Sequence, residues 1–475
     1  MDLKQEELAL FIEGEWTKSM EMEPVFDKYT GETIACVSTC TKDDVRHAIA
    51  SAKEAQNHAF APYDRYRVLK EVSEQLKANQ EEFALLLAAE VGKPIAEARG
   101  EVGRAVLTLE ISAEEAKRIH GMGVPIEAAP DSPNRQAFTR RVPVGVIAAI
   151  TPFNVPLNLV CHKVGPGLAA GNSVILKPAE TTPLCALRLA ELFRQAGLPK
   201  GRLNVLTGDG PSIGDWLLES EAVKMVTFTG SPKVGKLLRE KAGLRKVALE
   251  LGNNSATIVH ADAHLDVAAN LVAQKSFNNA GQVCISVQRV FVHETVFTPF
   301  LEKLVSSTEG LVVGDPKNEA TQVGPMIAEK EAVRIESWVN EAVKEGAKVE
   351  VGGKRDGALF TPTILTNVKE TMKVCSEEVF GPVVSVLPYS TEDEVIEKVN
   401  QSRYGLQAGL FTNSLSFAMK AAEQIEVGGL IVNDTSGYRV DQMPYGGVKQ
   451  SGTGKEGPRY AIEEMTEERL VVLNL

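Results

Sequence analysis

The segment Val144–Ile150 (VGVIAAI) is the first of five short apolar runs that decide the fold. Between these runs the residue pattern predicts helices over about 157–170, 182–196, 211–219 and 231–242. Short, continuously apolar strands are typical of a parallel sheet covered on both faces. Strands and helices that alternate in this way indicate a doubly wound α/β sheet. The five predicted strands are Val144–Ile150, Ser173–Lys177, Leu203–Leu206, Lys224–Thr229 and Lys246–Glu250.

A second alternating region follows Gly252. The pattern predicts strands over 256–259 and 287–293 and helices over 264–279 and 294–307. More strand-like segments follow, and the region therefore predicts a second doubly wound sheet. These segments lie near 362–366, 382–388, 408–412 and 429–432.

The chain before the first strand is expected to be mainly helical, with apolar residues at helical spacing from about 41 to 119. Residues 121–133 are rich in Gly and Pro and interrupt this pattern. At the other end, Leu470–Leu475 forms an apolar, strand-like tail. Because an exposed apolar tail is unfavourable in water, we expect it to pack on another subunit.

Composition excludes several classes of function. The 475 residues include 51 basic and 63 acidic side chains, a formal net charge of −12, which argues against a general nucleic-acid binder. The N-terminal sequence MDLKQEELALF lacks the basic and apolar regions of a signal peptide. The most apolar stretch, Val142–Val160, is interrupted by Pro and Gly, so no membrane span is expected. The sequence therefore predicts a cytoplasmic protein.

The six cysteines form no C-x-x-C pair, so neither a zinc site nor another metal site is expected. Gly452–Gly457 matches G-x-G-x-x-G literally, but only 18 residues follow it, too few for a dinucleotide-binding unit. We therefore expect that motif to be a structural loop.

Three residues are candidates for catalysis. Cys284 lies on a Gly-containing loop between a predicted helix and a predicted strand, where a substrate can reach it. Glu250 ends an apolar strand, which would raise the pKa of its carboxyl, and Asn154 follows the carboxyl end of the first strand. Each residue type also has a purely structural interpretation: a buried thiol, a strand-end carboxylate that reaches water, and an Asn in a turn.

Seven segments together resemble the aldehyde dehydrogenase superfamily, and they run through nearly the whole chain in the right order. They are Thr151–Leu157, Lys177–Glu180, Phe228–Ser231, Leu249–Gly252, Phe277–Cys284 with Ser286, Glu377–Pro382 and Pro444–Gly452.

The resemblance implies two doubly wound parallel-sheet domains and a small β oligomerisation element. Residues 1–119 and 141–250 would form the NAD-binding domain and 251–440 the catalytic domain. Residues 120–140 and 455–475 would form the oligomerisation element of a homodimer or homotetramer.

The resemblance also implies catalytic roles. Cys284 would attack the aldehyde carbonyl, and Asn154 with the Cys284 backbone N–H would hold the oxyanion of the thiohemiacetal. After hydride transfer, Glu250 would activate the water that hydrolyses the thioester. The cofactor would be NAD rather than NADP, because a carboxylate at Glu180 would repel a 2′-phosphate. The implied cofactor residues are Thr151, Pro152, Phe153, Lys177, Glu180, Gly208, Gly230, Ser231, Leu251, Glu378 and Phe380.

Three positions depart from the family pattern. Asn253 replaces the usual second Gly of the glutamate motif, and Phe153 replaces the commoner Trp. Val283 stands where relatives that act on phosphorylated or phosphonate aldehydes often carry Arg, which weakens an assignment to glyceraldehyde 3-phosphate.

The substrate is expected to be a small polar or anionic aldehyde, as in the lactaldehyde, phosphonoacetaldehyde and non-phosphorylating glyceraldehyde-3-phosphate branch that the C-terminal motif resembles. Sulfo-aldehydes and semialdehydes belong to the same expectation. A non-phosphorylating glyceraldehyde-3-phosphate dehydrogenase, a CoA-acylating semialdehyde dehydrogenase and a non-catalytic protein of the same fold are the alternatives. The expected substrate residues are Arg104, Asn158, His162, Arg439 and Tyr445.

Overall fold

A computed structural model describes residues 6–475 and contains two large sheets. The first has eight strands, of which the central five are parallel and the outer three antiparallel to their neighbours. The parallel core confirms the predicted doubly wound sheet, and each predicted strand is found within two residues of its expected bounds. In spatial order the strands are Gly452–Thr453, Lys246–Glu250, Val223–Thr229, Val146–Ile150, Ser173–Lys177, Leu203–Val205, Leu10–Ile12 and Glu15–Thr17.

Helices cover the faces of this sheet. Separate buried apolar clusters lie on its two sides, one built around Val174 and the other around Ile175. The helices are Lys42–Ala55, Pro62–Ala78, Gln80–Val91, Ile95–Ala116, Asn158–Ala169, Leu184–Gln195, Gly210–Glu219 and Pro232–Ala242.

The expectation of a mainly helical N-terminal third holds only for residues 42–116. Residues 6–38 contain five short strands, two of which extend the first sheet while three form a small sheet of their own. Three of the five strands have only three residues, which is too short to show an alternating pattern. The small sheet contains Glu6–Leu8, Thr33–Ser38 and Met22–Phe26.

The second large sheet has seven strands, six of them parallel, and it confirms the second predicted doubly wound sheet. In spatial order the strands are Lys348–Val351, Thr363–Thr366, Val383–Tyr389, Arg289–His293, Ala256–Val259, Gln407–Phe411 and Gly429–Val432. Its helices are Leu265–Phe277, Phe297–Glu309, Glu329–Lys344, Lys373–Ser376, Glu392–Asn400 and Leu415–Gln424.

The apolar tail is part of a three-stranded antiparallel sheet. Thr466–Asn474 pairs along its whole length with Arg135–Pro143, which also pairs with Gly123–Val124. Helix Pro458–Glu464 was expected to lie with the tail in the oligomerisation element. It packs against the helices Ile95–Ala116 and Asn158–Ala169 of the first domain.

Among residues 6–475, no helix is long and apolar enough to cross a membrane. The same part of the chain holds no group of three or more His, Cys, Asp or Glu side chains that could bind a metal ion.

The buried carboxylate of Glu90 joins two helices of the first domain. It accepts hydrogen bonds from the backbone N–H groups of Leu184 at 2.9 Å and Cys185 at 3.0 Å, at the start of helix Leu184–Gln195. No side chain of that helix caps its N-terminus, so Glu90 satisfies donors that would otherwise be buried without partners. Burial raises the pKa of Glu90 to about 7.

We expect Glu90→Leu to lower the free energy of unfolding by about 2–5 kcal/mol, because it leaves two buried N–H groups without an acceptor. Glu90→Gln keeps one acceptor oxygen and is expected to cost less. Urea denaturation at fixed pH and protein concentration measures both values. Equal stability of the two variants would contradict this role.

Candidate active site

The carboxyl ends of the central strands of the first sheet meet at one edge, where ligands of open α/β sheets bind. Ile150 pairs with Lys177, and Thr229 pairs with Glu250, so these strands end at the same level. The predicted cofactor residues Thr151 and Pro152 follow directly after Ile150.

Lys177 and Glu180 form an ion pair at this edge. The buried ammonium of Lys177 lies 2.6 Å from Glu180 Oε1, and the backbone N–H of Gly210 donates to the same oxygen at 2.7 Å. Partial burial opposes ionisation of Glu180, but the charge of Lys177 outweighs it and lowers the pKa. Gly208, with φ of +125°, makes the turn before Gly210. A Cβ on Gly208 would lie 2.8 Å from Thr39 Cγ2.

A helix N-terminus faces the same edge. Ser231 caps helix Pro232–Ala242, its hydroxyl oxygen accepting the N–H of Val234 at 3.4 Å. A Cβ on the preceding Gly230 would lie 2.4 Å from the ring of Phe228. The positive end of the helix suits a phosphate group.

The residues Glu378 and Phe380 come to the site from the second domain. The half-buried carboxylate of Glu378 accepts the N–H of Asn253 at 2.9 Å, and burial raises its pKa to about 7. The ring of Phe380 packs edge-to-face with Phe153, with centroids 5.9 Å apart.

The side chain of Asn253 bonds within the second domain. Its amide nitrogen donates to Ser255 Oγ at 2.5 Å, and its oxygen accepts the N–H of Leu406 at 3.4 Å. Leu251, beside it, donates its N–H to Ser451 at 2.9 Å. Asn253 also lines the pocket that contains Cys284, so the departure from the family pattern adds two hydrogen bonds at the site.

A left-handed turn carries the chain toward Cys284. Asn279, Ala280 and Gly281 have φ of +49°, +53° and +71°, and each non-Gly residue in this region costs about 1–2 kcal/mol. The turn is held in place because Glu97 accepts the N–H of Asn279 at 2.9 Å. A Cβ on Gly281 would lie 2.1 Å from the carbonyl oxygen of Gly381, so only Gly fits.

Asn154 reaches this loop from the first domain. Its Nδ2 donates to the carbonyl of Gln282 at 2.8 Å, and Asn279 Nδ2 donates to the Asn154 carbonyl at 3.1 Å. An amide nitrogen has two N–H donors, and this bond uses one of them. The other has no acceptor among residues 6–475.

Cys284 is half-buried, and its Sγ lies 2.9 Å from the hydroxyl of Tyr445. Burial raises the pKa of the thiol to about 11, while the Tyr445 bond and the positive charge of Arg439 act in the opposite direction.

Glu250 is buried, and its Oε2 has no hydrogen-bond partner. Burial, together with the negative charge of Glu456, raises the pKa of Glu250 well above its usual range. The Gly452–Thr453 segment, expected to be a structural loop, forms an antiparallel edge strand against Leu249 and Glu250.

The five expected substrate residues lie in one hydrogen-bonded network. Asp441 accepts from Arg104 at 2.8 Å, from Asn158 at 3.0 Å and contacts His162 at 2.9 Å. His162 lies 3.2 Å from a terminal nitrogen of Arg439. The remaining member, Tyr445, lies under the Arg439 guanidinium, whose carbon is 3.6 Å from the ring centroid.

Three charged members of this network were not among the expected site residues. Glu456 pairs with Arg439 at 2.9 Å and with Lys163 at 3.2 Å, and Asp441 anchors the other end. Lys163 is the only Lys, Arg, Asp or Glu residue of helix Asn158–Ala169, and Glu456 lies inside the glycine motif that was set aside, but neither was singled out from the sequence. The positive charges of Lys163 and Arg439 together outweigh the effect of burial and lower the pKa of Glu456 to about 2.

The network contains one more positive than negative side chain. It contains Arg104, Arg439 and Lys163 against the two carboxylates Asp441 and Glu456. Burial lowers the pKa of His162, which therefore adds no charge at neutral pH. The buried Nε–H of Arg439 has no acceptor, so this cation can donate one more hydrogen bond to an anion.

The chain is similar in sequence to known proteins. The model of the Aldehyde dehydrogenase family matches residues 16–471. The chain is 68% identical over 467 residues to a 3-sulfolactaldehyde dehydrogenase of Priestia megaterium, covering 98% of each chain.

Two solved structures are also similar along nearly the full chain. Aldehyde dehydrogenase 21 from Physcomitrella patens, in complex with the reaction product succinate, is 38% identical with a TM-score of 0.97 and 99% coverage of both chains. The glyceraldehyde-3-phosphate dehydrogenase GapN from Methanocaldococcus jannaschii, complexed with NADP, is 40% identical with a TM-score of 0.92, covering 96% of this chain and 100% of that one. The fold, the site and these matches together show that the chain belongs to the aldehyde dehydrogenase family and is an aldehyde-oxidising enzyme.

Proposed function

We propose that the enzyme oxidises 3-sulfolactaldehyde to 3-sulfolactate, with NAD as the hydride acceptor. The observation that carries this proposal is the 68% identity to a 3-sulfolactaldehyde dehydrogenase over 98% of both chains. The unbalanced positive charge around Arg439 supports it, because a sulfonate keeps its negative charge at any physiological pH.

Cys284 is the proposed nucleophile. Its thiolate attacks the aldehyde carbon and forms a thiohemiacetal, whose oxyanion takes hydrogen bonds from the free Nδ2–H of Asn154 and the backbone N–H of Cys284. Lys177 and Ser231 would hold NAD at this edge, and the bound cofactor would supply the acceptor for the hydride that leaves this carbon. A thioester on Cys284 remains.

Glu250 is the proposed base for thioester hydrolysis. Its unpartnered Oε2 can accept a proton from a water molecule that attacks the thioester carbon. Because its pKa is raised, Glu250 reaches its base form at a higher pH than an ordinary carboxyl group does, and the base form accumulates as the pH rises. This base argues against the CoA-acylating alternative, which needs no activated water.

For Glu250→Gln, we expect a burst of about one NADH per site, followed by steady-state turnover about 10²–10⁴-fold below wild type, because only hydrolysis loses its base. Wild-type steady-state turnover is expected to rise with pH as Glu250 loses its proton, and the variant to lose that dependence. Stopped-flow absorbance measures both phases, with Cys284→Ser as the control that abolishes the burst. Wild-type turnover in Glu250→Gln would contradict the assignment.

Arg439 is the proposed contact for the sulfonate. Its guanidinium is fixed by Glu456, His162 and the Tyr445 ring, and its Nε–H is the buried donor left over. Arg104 is bound at two points by Asp441 and its side chain is 37% exposed, so it would act by holding Asp441. Glyceraldehyde 3-phosphate, the substrate named for the GapN relative, is the second candidate because it is also a small anionic aldehyde.

We expect Arg439→Gln to raise the KM for 3-sulfolactaldehyde about tenfold or more, since it removes a hydrogen bond to a charged group. The KM for lactaldehyde, which has no anionic group, should change much less. Steady-state kinetics with both aldehydes measures this difference, and Arg459→Gln, on an exposed side chain, is the matched control. Equal effects on both substrates would remove the sulfonate contact.

Glu180 supports the choice of NAD over NADP. Its carboxylate is ionised beside Lys177 and Gly210, where it can accept the hydroxyl groups of a ribose and repel a 2′-phosphate. The other proposed cofactor contacts are those at Lys177, Ser231, Glu378 and Phe380.

The wild-type enzyme is expected to have a lower KM for NAD than for NADP. Glu180→Ser should lower the KM for NADP, because it removes the repelling charge, and raise the KM for NAD. Initial rates at saturating aldehyde measure both values. A wild-type preference for NADP, or an unchanged ratio in Glu180→Ser, would contradict this role.

We also propose that the three-stranded sheet joins subunits into a homodimer or homotetramer. Leu470, Val472, Leu473 and Leu475 on its tail strand are between 41% and 75% exposed, and a second copy would cover them. A cytoplasmic location fits the need of Cys284 for a reduced thiol.

A further inference from the structure

We propose that Tyr445 is a catalytic residue whose hydroxyl donates a hydrogen bond to the Cys284 sulfur and holds it as a correctly placed thiolate. This goes beyond substrate binding, the role expected from the sequence, and it rests on the proposed function of Cys284 as the nucleophile.

The contact is direct and well fixed. Tyr445 Oη lies 2.9 Å from Cys284 Sγ, and the tyrosine side chain is only 3% exposed. Among residues 6–475, no other side chain is hydrogen-bonded to this sulfur. The ring packs with Ile285 and Leu406 in a small apolar cluster next to Cys284.

The backbone of Tyr445 is anchored to the buried charge network. Its N–H donates to the carbonyl of Glu456 at 3.1 Å, and the N–H of Glu456 donates to the Tyr445 carbonyl at 2.6 Å. A Cβ on the next residue, Gly446, would lie 2.9 Å from Glu250 Oε1. Two consecutive residues of one loop therefore contact the proposed nucleophile and approach the proposed base.

The chemistry fixes the direction of the hydrogen bond. A thiolate has no proton and can only accept, so the phenol must donate. Burial raises the pKa of Tyr445 well above its usual range, and the phenol therefore keeps its proton at every pH at which the enzyme would work.

Arg439 lies over the ring of Tyr445 and assists this donor. Its guanidinium carbon lies 3.6 Å from the centroid, a cation–π distance at which the positive charge draws electron density from the ring. The O–H becomes a stronger donor, and the same charge favours the thiolate directly. Burial favours the protonated thiol, and the hydroxyl and the cation oppose it by stabilising the thiolate.

The test is the pH dependence of Cys284 alkylation by iodoacetamide in the full-length enzyme, with the modified cysteine identified by peptide mass spectrometry. Tyr445→Phe keeps the ring and removes only the hydroxyl. We expect its alkylation rate at neutral pH to fall about tenfold and the midpoint of the pH profile to rise by about one unit, since a hydrogen bond to a charged group is lost. Tyr438→Phe, on the same loop but 43% exposed, is the matched control and should follow the wild-type profile.

Wild-type rate and midpoint in Tyr445→Phe would overturn this inference. The same experiment separates it from the proposed function, because alkylation of Cys284 must also abolish NADH formation. If alkylated enzyme stays active, the nucleophile assignment fails and the role of Tyr445 fails with it. If alkylation inactivates the enzyme but Tyr445→Phe titrates as wild type, only the role of Tyr445 fails.

Discussion

Charge buried away from water has to be paired, and the pairing around Glu456 determines the state of the site. Glu456 takes the two cations Arg439 and Lys163, which leaves the nearby Glu250 without a partner. The pKa of Glu250 is therefore raised, and the free Nε–H of Arg439 remains available for an anion. One set of ion pairs thus accounts for both the proposed base and the proposed preference for a charged aldehyde.

Backbone conformation places the nucleophile relative to this network. Asn279–Gly281 runs through three left-handed residues, a strained path that the carboxylate of Glu97 and the backbone carbonyl of Asn154 hold in place. The loop containing Tyr445 approaches the same sulfur from the C-terminal part of the chain. Cys284 is positioned by both domains, so its reactivity depends on their packing.

The parallel sheets were predictable because strands such as Ser173–Lys177 are buried along their whole length and have a continuous apolar centre. The catalytic residues were predicted largely through family resemblance, since position alone left structural interpretations open for Cys284, Glu250 and Asn154. Glu456 and Asp441 escaped prediction because ion pairs between residues far apart in sequence have no local pattern. The free Nε–H of Arg439 is likewise visible only once its partners are placed in three dimensions.

Product analysis of the wild-type enzyme with 3-sulfolactaldehyde tests the central claim most directly. With NAD and without CoA or phosphate, one NADH and one 3-sulfolactate are expected for each aldehyde consumed, as measured by absorbance and mass spectrometry. No NADH from this aldehyde, or a product that forms only when CoA is added, would contradict the account.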